Sequence, residues 1–186
     1  MGLNIEDGKG RGFNASVSES NRLNVSAKTN PRTFYVSRND GLSFIADSVD
    51  TSADAGDYVL YLKNTSSTKL LYIKEVVMHS VNAAFWKIWQ VSGTASGTTV
   101  TATNLNLSSS LVSETTIVGD GAVSGLTTVN LLGAQRNGAV GCSGIEYEDA
   151  LILGPNDAIA VEYDTGTTGA AEAHVIFHFE SIDRNN

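Results

Sequence analysis

The sequence has little cysteine, little charge and no long apolar run, and each shortage excludes a class of protein. Cys142 is the only cysteine among 186 residues, so no disulfide can form within the chain. Lys and Arg number 12 against 20 Asp and Glu, which gives a net charge of −8. Because phosphate backbones bind clustered cations, we expect no nucleic-acid partner. No run approaches the roughly 18 apolar residues that a membrane helix needs, so we also expect no membrane partner.

Small polar residues take the place of the missing charge. Apolar residues make up 41% of the chain and charged residues 17%, and the remainder is rich in Ser, Thr, Asn and 18 glycines. Thr favours pleated strands, whereas Gly, Asn and Ser supply turn geometry. No window carries uninterrupted apolar residues at helical spacing. The composition therefore predicts an all-β chain that is long enough for one domain with a core of its own.

The first 33 residues differ from the rest. The segment 8–12 has little side chain to bury, and the stretch up to Pro31 is polar with isolated apolar residues. Those residues are Phe13, Val17, Leu23 and Val25. We predict an extended N-terminal arm over residues 1–33, which becomes ordered when a neighbour supplies the surface it lacks. The first residues lack the charged and apolar regions of a secretory signal, so we expect synthesis in the cytoplasm.

From residue 34 the sequence changes to short apolar runs between turn signals, which is typical of β-structure. Residues 34–37 and 42–46 flank Asn39-Asp40-Gly41, whose Asp-Gly pair predicts a hairpin. Residues 47–56 predict a solvated acidic loop, because its carboxylates lack the spacing of an EF-hand. The runs at 58–63 and 70–82 predict the next strand pair.

The second half of the chain adds further strand signals at residues 115–118, 127–132, 150–153, 158–164 and 171–181. Glycine-rich turns separate the earlier ones. The whole pattern gives about eight to ten strands without crossover helices. We therefore predict an antiparallel β-sandwich, jelly-roll-like, over residues 34–186.

The segment 84–92 carries both tryptophans. Strand alternation places Phe85, Lys87, Trp89 and Val91 on one face and Trp86 and Ile88 on the other, so both faces carry large apolar residues. Such a strand is either covered on its outer side or lies at a subunit contact. Phe85, Trp86 and Trp89 are therefore candidate interface or ligand-facing residues. A tryptophan in an exposed groove could instead stack on a sugar, as in a carbohydrate- or receptor-binding module.

Two histidines, His174 and His178, share one face of the run 171–181. About 13 Å separates them at roughly 3.3 Å per residue, whereas ligand atoms lie about 2.1 Å from a metal ion, so they cannot share one. We predict surface or interface histidines and no metal or cofactor. A hydrolase would need one of them bonded to a carboxylate in a concave pocket. A thiol catalyst would need Cys142 beside a positioned histidine. We predict no catalytic residue.

Four features of the sequence resemble bacteriophage virion structural proteins of the small jelly-roll type. They are residues 6–10 with 22–25, the strand runs 60–64 and 70–77, the stretch 91–106, and residues 153–157 before a closing strand. Such features occur in head decoration proteins, head fibres and tail components. The resemblance implies a virion protein at the capsid surface, a homotrimer whose arm engages other virion proteins such as the major capsid protein. The alternative within this group is a tail or head fibre module that binds a host surface glycan.

Overall fold

The computed structural model describes residues 4–5, 13–14, 32–138, 141–165 and 167–182. Contacts divide the chain into two compact units, residues 1–30 and 31–186. In the first unit, strands β1 (Asn4–Ile5) and β2 (Phe13–Asn14) pair antiparallel. Phe13 of the predicted arm lies in this pair, while Val17, Leu23 and Val25 lie outside the described residues. Within the described part of the chain, no helix combines the length and the apolarity needed to cross a membrane.

The second unit contains one described helix, α1 (Arg32–Asp40), and a series of antiparallel strands. The strands are β3 (Ser43–Ala53), β4 (Asp57–Asn64), β5 (Lys69–Ser80), β6 (Ala84–Thr99), β7 (Thr103–Asn104), β8 (Thr115–Asn137), β9 (Gly141–Leu153), β10 (Ala158–Thr165) and β11 (Gly169–Ser181). The predicted runs at 158–164 and 171–181 correspond to β10 and β11, because a strand with one face in a core carries a two-residue pattern.

The strands form two sheets that pack face to face. One sheet has the order β7-β3-β11-β5-β9, and the other closes into a ring, β10-β4-β8-β6, in which β6 pairs back to β10. If the two-residue β7 is left out and the eight long strands are numbered 1 to 8 along the chain, β3 is strand 1 and β11 is strand 8. The open sheet then has the order 1-8-3-6. The ring, read from β4 through β10 and β6 to β8, has the order 2-7-4-5. These are the strand orders of a jelly roll. The predicted all-β antiparallel sandwich is confirmed.

The main core lies between the two sheets. In β11, Ala173, Val175 and Phe177 are fully buried and alternate with the half-buried His174 and Ile176. Phe177 stacks on Phe44 of β3 with ring centroids 5.7 Å apart. The ring of strands supplies Trp86, which meets Tyr163 edge to face at 5.2 Å. Apolar burial on facing sheets is thus the main force that holds the sandwich together.

A second, smaller apolar cluster lies on the side of the ring strands away from the main core. Its members are Tyr61, Val91, Val118, Val123, Ala158 and Ala160, with Trp89 packed against it. All of them belong to the four ring strands. The chain itself therefore covers part of the outer face of the two-sided strand β6.

The predicted hairpin at residues 34–46 is wrong, because residues 32–40 form α1. Pro31 precedes the helix, and proline is favoured in the first helical turn. Gly41 follows it with a φ of +64°, the left-handed conformation that commonly ends helices. Thr33 and Val36 are buried where α1 packs against β3 and β11. The predicted arm boundary at residue 33 is corrected as well, since Arg32 and Thr33 belong to α1.

Three further predictions, about a loop, a strand pair and two turns, differ from the structure. The predicted acidic loop at 47–56 is largely strand β3, whose Asp47 and Asp50 pair opposite β11. The runs 58–63 and 70–82 are strands, but β4 and β5 lie in different sheets and do not pair with each other. The glycine-rich turn expected at 119–121 lies within β8, where the pairing with β6 shifts register, and residues 141–144 of the turn expected at 138–144 lie in β9, where Gly141 and Gly144 pair with β5 in regular register.

Candidate functional site

His178 is fully buried on the outer face of β11, beneath α1. Its ring stacks on Tyr72 of β5, with centroids 5.1 Å apart and 6° between the planes. Thr33 Oγ1 of α1 lies 3.4 Å from Nδ1, and Asp149 Oδ1 lies 3.6 Å from the same nitrogen. Nε2 lies 3.2 Å from Glu180 Oε1. The prediction of a surface or interface histidine is wrong here, because the helix that covers His178 was not predicted.

Arg32 fastens the start of α1 to the same group of side chains. Its Nε and Nη2 donate to the two oxygens of Glu180 at 2.5 and 2.8 Å. The guanidinium holds the pKa of Glu180 below its usual value. Burial lowers the pKa of His178, and this effect outweighs the opposing fields of Asp149 and Glu180. The cluster thus holds a neutral imidazole between a helix and a sheet.

We call His178 and the side chains around it the His178 cluster; the others are Arg32, Thr33, Tyr72, Asp149 and Glu180. A hydrolase needs a histidine that is bonded to a carboxylate and also open to a pocket, and the His178 cluster meets only the first condition. The histidine has a carboxylate partner, but its ring has no exposed surface that a substrate could reach. A groove of about 470 Å³ beside α1 is lined by Arg32, Asp40 and Glu180, and His178 is not part of its lining. The geometry therefore suits the docking of α1 and does not suit a general base.

His174 has a different environment on the same face of β11. It is half-buried, with Nδ1 3.1 Å from Asp47 Oδ1 and Nε2 3.2 Å from Glu172 Oε1. Each ring nitrogen thus faces a carboxylate. Cys142 lies nearby in the same sheet, exposed and opposite His79 in the pairing of β5 with β9. Sequence spacing could not reveal these neighbours, because they come from different strands.

Of the predicted aromatic residues, Trp86 belongs to the main core. It is fully buried against Tyr163, and its indole N–H has no acceptor among the described residues. Trp86 therefore faces neither a partner nor a ligand, contrary to the prediction. The reason is alternation: its face of β6 turns toward the opposite sheet.

Trp89 and Phe85 lie on the other face of β6 and are half-buried. Trp89 donates its indole N–H to Glu162 Oε2 at 2.5 Å, and Lys87 Nζ lies 5.7 Å from its ring centroid. Phe85 lies below two cations, Lys87 at 5.9 Å and Arg136 at 5.1 Å. Stacking on a sugar needs an open aromatic face. Both rings already carry cationic neighbours, which disfavours that use.

A set of exposed apolar side chains occurs on α1 and on the loop that follows β7. We call it the α1-loop surface and define it by Phe34, Leu105, Leu107, Leu111 and Val112. Leu107 is 86% exposed and Val112 is 81% exposed. Phe34 and Leu105 together line a groove of about 320 Å³. Isolated exposed apolar residues are ordinary, but a group of them is typical of an interaction site.

Side-chain amides hold the loop of the α1-loop surface in place. Asn104 donates to the carbonyls of Gly41 and Leu111 at 2.7 and 3.1 Å. Asn106 donates to the carbonyl of Ser37 in α1 at 3.1 Å and accepts from the backbone N–H of Ser108. Such turns fix the backbone without burying its apolar side chains. The loop therefore displays Leu107 and Val112 from an ordered frame.

Comparisons with family models, with curated proteins and with solved structures found no match for this chain. The functional argument therefore depends on the geometry of the described residues. The α1-loop surface was missed by sequence reasoning, although one signal was present. Leu105, Leu107, Leu111 and Val112 are large apolar residues in a stretch that is otherwise rich in Ser, Thr and Asn.

Proposed function

We propose that this chain is a structural protein that works by assembly, a decoration or accessory protein at the surface of a virion capsid. The observation that carries the proposal is the α1-loop surface. Leu107 and Val112 are almost fully exposed on a loop that hydrogen bonds hold in place. The occupant we propose for this surface is another copy of the chain.

The free energy of apolar burial supports this choice. Removing apolar surface from water yields about 25 cal/mol per Å², and full burial of a Leu or Val side chain yields about 1.5–3 kcal/mol. Five large apolar side chains on α1 and on the loop after β7 could therefore contribute to the core of an interface, in which charged residues are scarce. Arg38 and Lys74 beside the grooves would lie at its polar rim.

The fold and the sequence resemblance support the virion setting. A jelly roll is a compact scaffold found among capsid domains, and the resemblance to small phage virion proteins implies the same class. Residues 1–30 form a unit of their own, which suits a separate role in attachment to other virion proteins. The alternative, a glycan-binding module, has less support, because the rings of Trp89 and Phe85 lie against cations.

Light scattering on the purified full chain, coupled to size exclusion, tests the proposal. We expect an oligomer, and a trimer is what the resemblance implies. The double variant Leu107→Glu with Val112→Glu should shift the mass to that of a monomer, because like charges would be placed at the centre of the contact. Val81→Glu is the matched control: Val81 is 42% exposed and lies after β5, at the far end of the sheet.

Circular dichroism and melting of each variant separate loss of assembly from loss of folding. The exposed positions should tolerate Glu with little change in stability. A wild-type chain that is monomeric at high concentration would overturn the proposal. So would a double variant that stays oligomeric, or a control variant that dissociates equally.

A further inference from the structure

Three side chains of the types that can bind a metal ion lie close together on the outer face of the five-stranded sheet, at the end away from α1. Glu172 and His174 stand two residues apart on β11, and Asp47 of β3 pairs directly opposite His174. One potential ligand atom from each lies within 4.8 Å of the others. This convergence depends on strand pairing between distant parts of the sequence, and neither the His178 cluster nor the α1-loop surface contributes to it.

A fourth side chain of the same kind lies next to the three. His79 of β5 pairs opposite Glu172, and its Nδ1 lies 3.9 Å from Glu172 Oε2. Glu172 therefore stands between two imidazoles, with its two oxygens facing different rings. The resulting set contains two histidines and two carboxylates on three adjacent strands. It differs from a simple acidic cluster, because nitrogen supplies half of the donors.

The distances fit those around a small divalent ion. Zinc bonds to imidazole nitrogen and carboxylate oxygen at about 2.0–2.2 Å, which in tetrahedral geometry places neighbouring donor atoms about 3.3–3.6 Å apart. An imidazole binds an ion through one nitrogen, and His174 Nδ1 lies 3.1 Å from Asp47 Oδ1, close to that spacing. One ligand atom from each of Asp47, Glu172 and His174 lies within 4.8 Å of the others, so the Glu172 carboxylate would turn toward that nitrogen to complete the site. Exposed fractions of 27% for His174 and 54% for Asp47 leave the ligands accessible to an ion from solvent.

We propose that Asp47, Glu172 and His174 bind a divalent transition-metal ion, with His79 in reach as a fourth ligand. The donor set decides the class of ion. Imidazole with carboxylate suits zinc, nickel and copper, whereas Ca²⁺ and Mg²⁺ prefer oxygen alone. The sheet holds the ligands on hydrogen-bonded strands, so binding requires movement of side chains and not of the backbone.

Titration of the tag-free full chain with Zn²⁺, followed by calorimetry, tests the site, and Co²⁺ absorption reports on its ligands. We expect one ion per chain with micromolar affinity. His174→Asn and Glu172→Gln should each weaken Zn²⁺ binding by more than about tenfold, since loss of even an indirect partner of a metal ligand weakens binding by about 10–100-fold. Asp47→Asn should act in the same direction.

Two control variants make the outcome specific. Glu146→Gln removes an exposed carboxylate from β9 of the same sheet, outside the cluster, and should leave the affinity unchanged. Cys142→Ser removes the exposed thiol opposite His79, which could bind zinc by itself, and should also leave the affinity unchanged. Melting temperatures measured without metal check that each variant is folded.

Several results would overturn the site. Absence of saturable Zn²⁺ binding at 100-fold excess would do so for a folded wild-type chain. Retention of wild-type affinity by His174→Asn would show that the ion binds elsewhere. Loss of binding in Cys142→Ser, with retention in Glu172→Gln, would assign the zinc to the thiol.

Discussion

The two sheets of the sandwich differ in how their outer faces are covered. The ring of β4, β6, β8 and β10 closes on itself and buries a second apolar cluster against its own strands. The five-stranded sheet stays open. One end of its outer face is covered by α1 and encloses His178, while the other end leaves His174 and its carboxylates accessible.

The two proposed sites are distributed unequally between the two sheets. The ring buries its smaller apolar cluster against its own strands, while Val129 and Leu131 of β8 stay about half exposed. Both proposed sites lie on the open side instead: the loop of the α1-loop surface follows β7, which pairs with β3, and the metal ligands lie on β3, β5 and β11. Both proposals thus place the contacts of the molecule on the open sheet and its neighbouring loop, and neither uses the ring.

The largest expected effect on the free energy of unfolding comes from a substitution that forces β6 and β8 of the ring apart. Gly125 in β8 has a φ of +81°, and a Cβ added there would overlap the carbonyl oxygen of Thr94 in β6. Gly125→Ala should lower the free energy of unfolding by about 3–4 kcal/mol, because backbone strain and a backbone clash add together. Urea unfolding followed by circular dichroism measures the change.

Gly121→Ala is the matched control for this effect. Gly121 also lies in β8 with a positive φ, +135°, but a Cβ there meets no atom within 4 Å. We expect a loss of about 1–2 kcal/mol from the backbone conformation alone. Equal losses at both glycines would contradict the view that close approach of β6 and β8 closes the ring.

A comparison of the two histidines of β11 tests the open sheet. His178→Ala should lower the free energy of unfolding by about 3 kcal/mol, since it leaves a cavity beneath α1 and takes away a partner of Thr33 and Glu180. His174→Ala, measured with a chelator present, should change it by less than about 0.5 kcal/mol. Chemical denaturation of both variants gives the two values, and a similar loss for both would contradict the difference in burial.

The buried histidine also predicts how stability depends on pH. Burial holds the pKa of His178 in the folded chain below its ordinary value of 6.5, whereas the unfolded chain has that ordinary value. As the pH falls below 6.5, the unfolded chain binds a proton that the folded chain does not, so stability declines. The slope is at most about 1.4 kcal/mol per pH unit.

Urea unfolding of the wild type and of His178→Gln between pH 8 and pH 5 measures this slope. The variant should have a flatter profile below pH 6.5, because the titrating group is gone. The lowered pKa of Glu180 adds a second decline at more acidic pH, which both proteins should share. A wild-type stability that rises as the pH falls from 7 to 5.5 would contradict the assigned direction.

The sequence predicted the sandwich because its strands carry patterns that are local. In β11 the apolar residues Ala173, Val175 and Phe177 recur every second position, and this signal survives without knowledge of any partner strand. Helix α1 was missed because only Thr33 and Val36 are buried along it, too few for a helical stripe. Pro31 before it and Gly41 after it were the signals that could have found it.

The sites depend on contacts that a single sequence does not contain. Asp47 and His174 meet only because β3 pairs with β11, and Asp149 reaches His178 from β9. The predicted face of each histidine follows from alternation, whereas its burial depends on α1, which crosses that face at one end only. Local patterns thus predict orientation, and distant contacts decide environment.

The smallest expected effect concerns the ion pair that joins α1 to the open sheet. Arg32→Gln removes the pair with Glu180, but the Arg32 side chain is 56% exposed, so solvent screens the interaction. We expect a loss of about 0.5 kcal/mol in the free energy of unfolding, which 1 M NaCl should reduce further. Arg38→Gln makes the same change of charge in the same helix and provides the control.

The loss of stability in Arg32→Gln shows whether the ion pair or the buried contacts contribute more to holding α1 against the sheet. Val36 and Thr33 are buried beneath α1 and His178 lies under its first turn, so apolar packing and the buried hydrogen bonds should supply most of the docking free energy. The ion pair would then orient the first turn without determining stability. A loss above about 2 kcal/mol for Arg32→Gln, with little for Arg38→Gln, would reverse that order and make the pair the main attachment of α1.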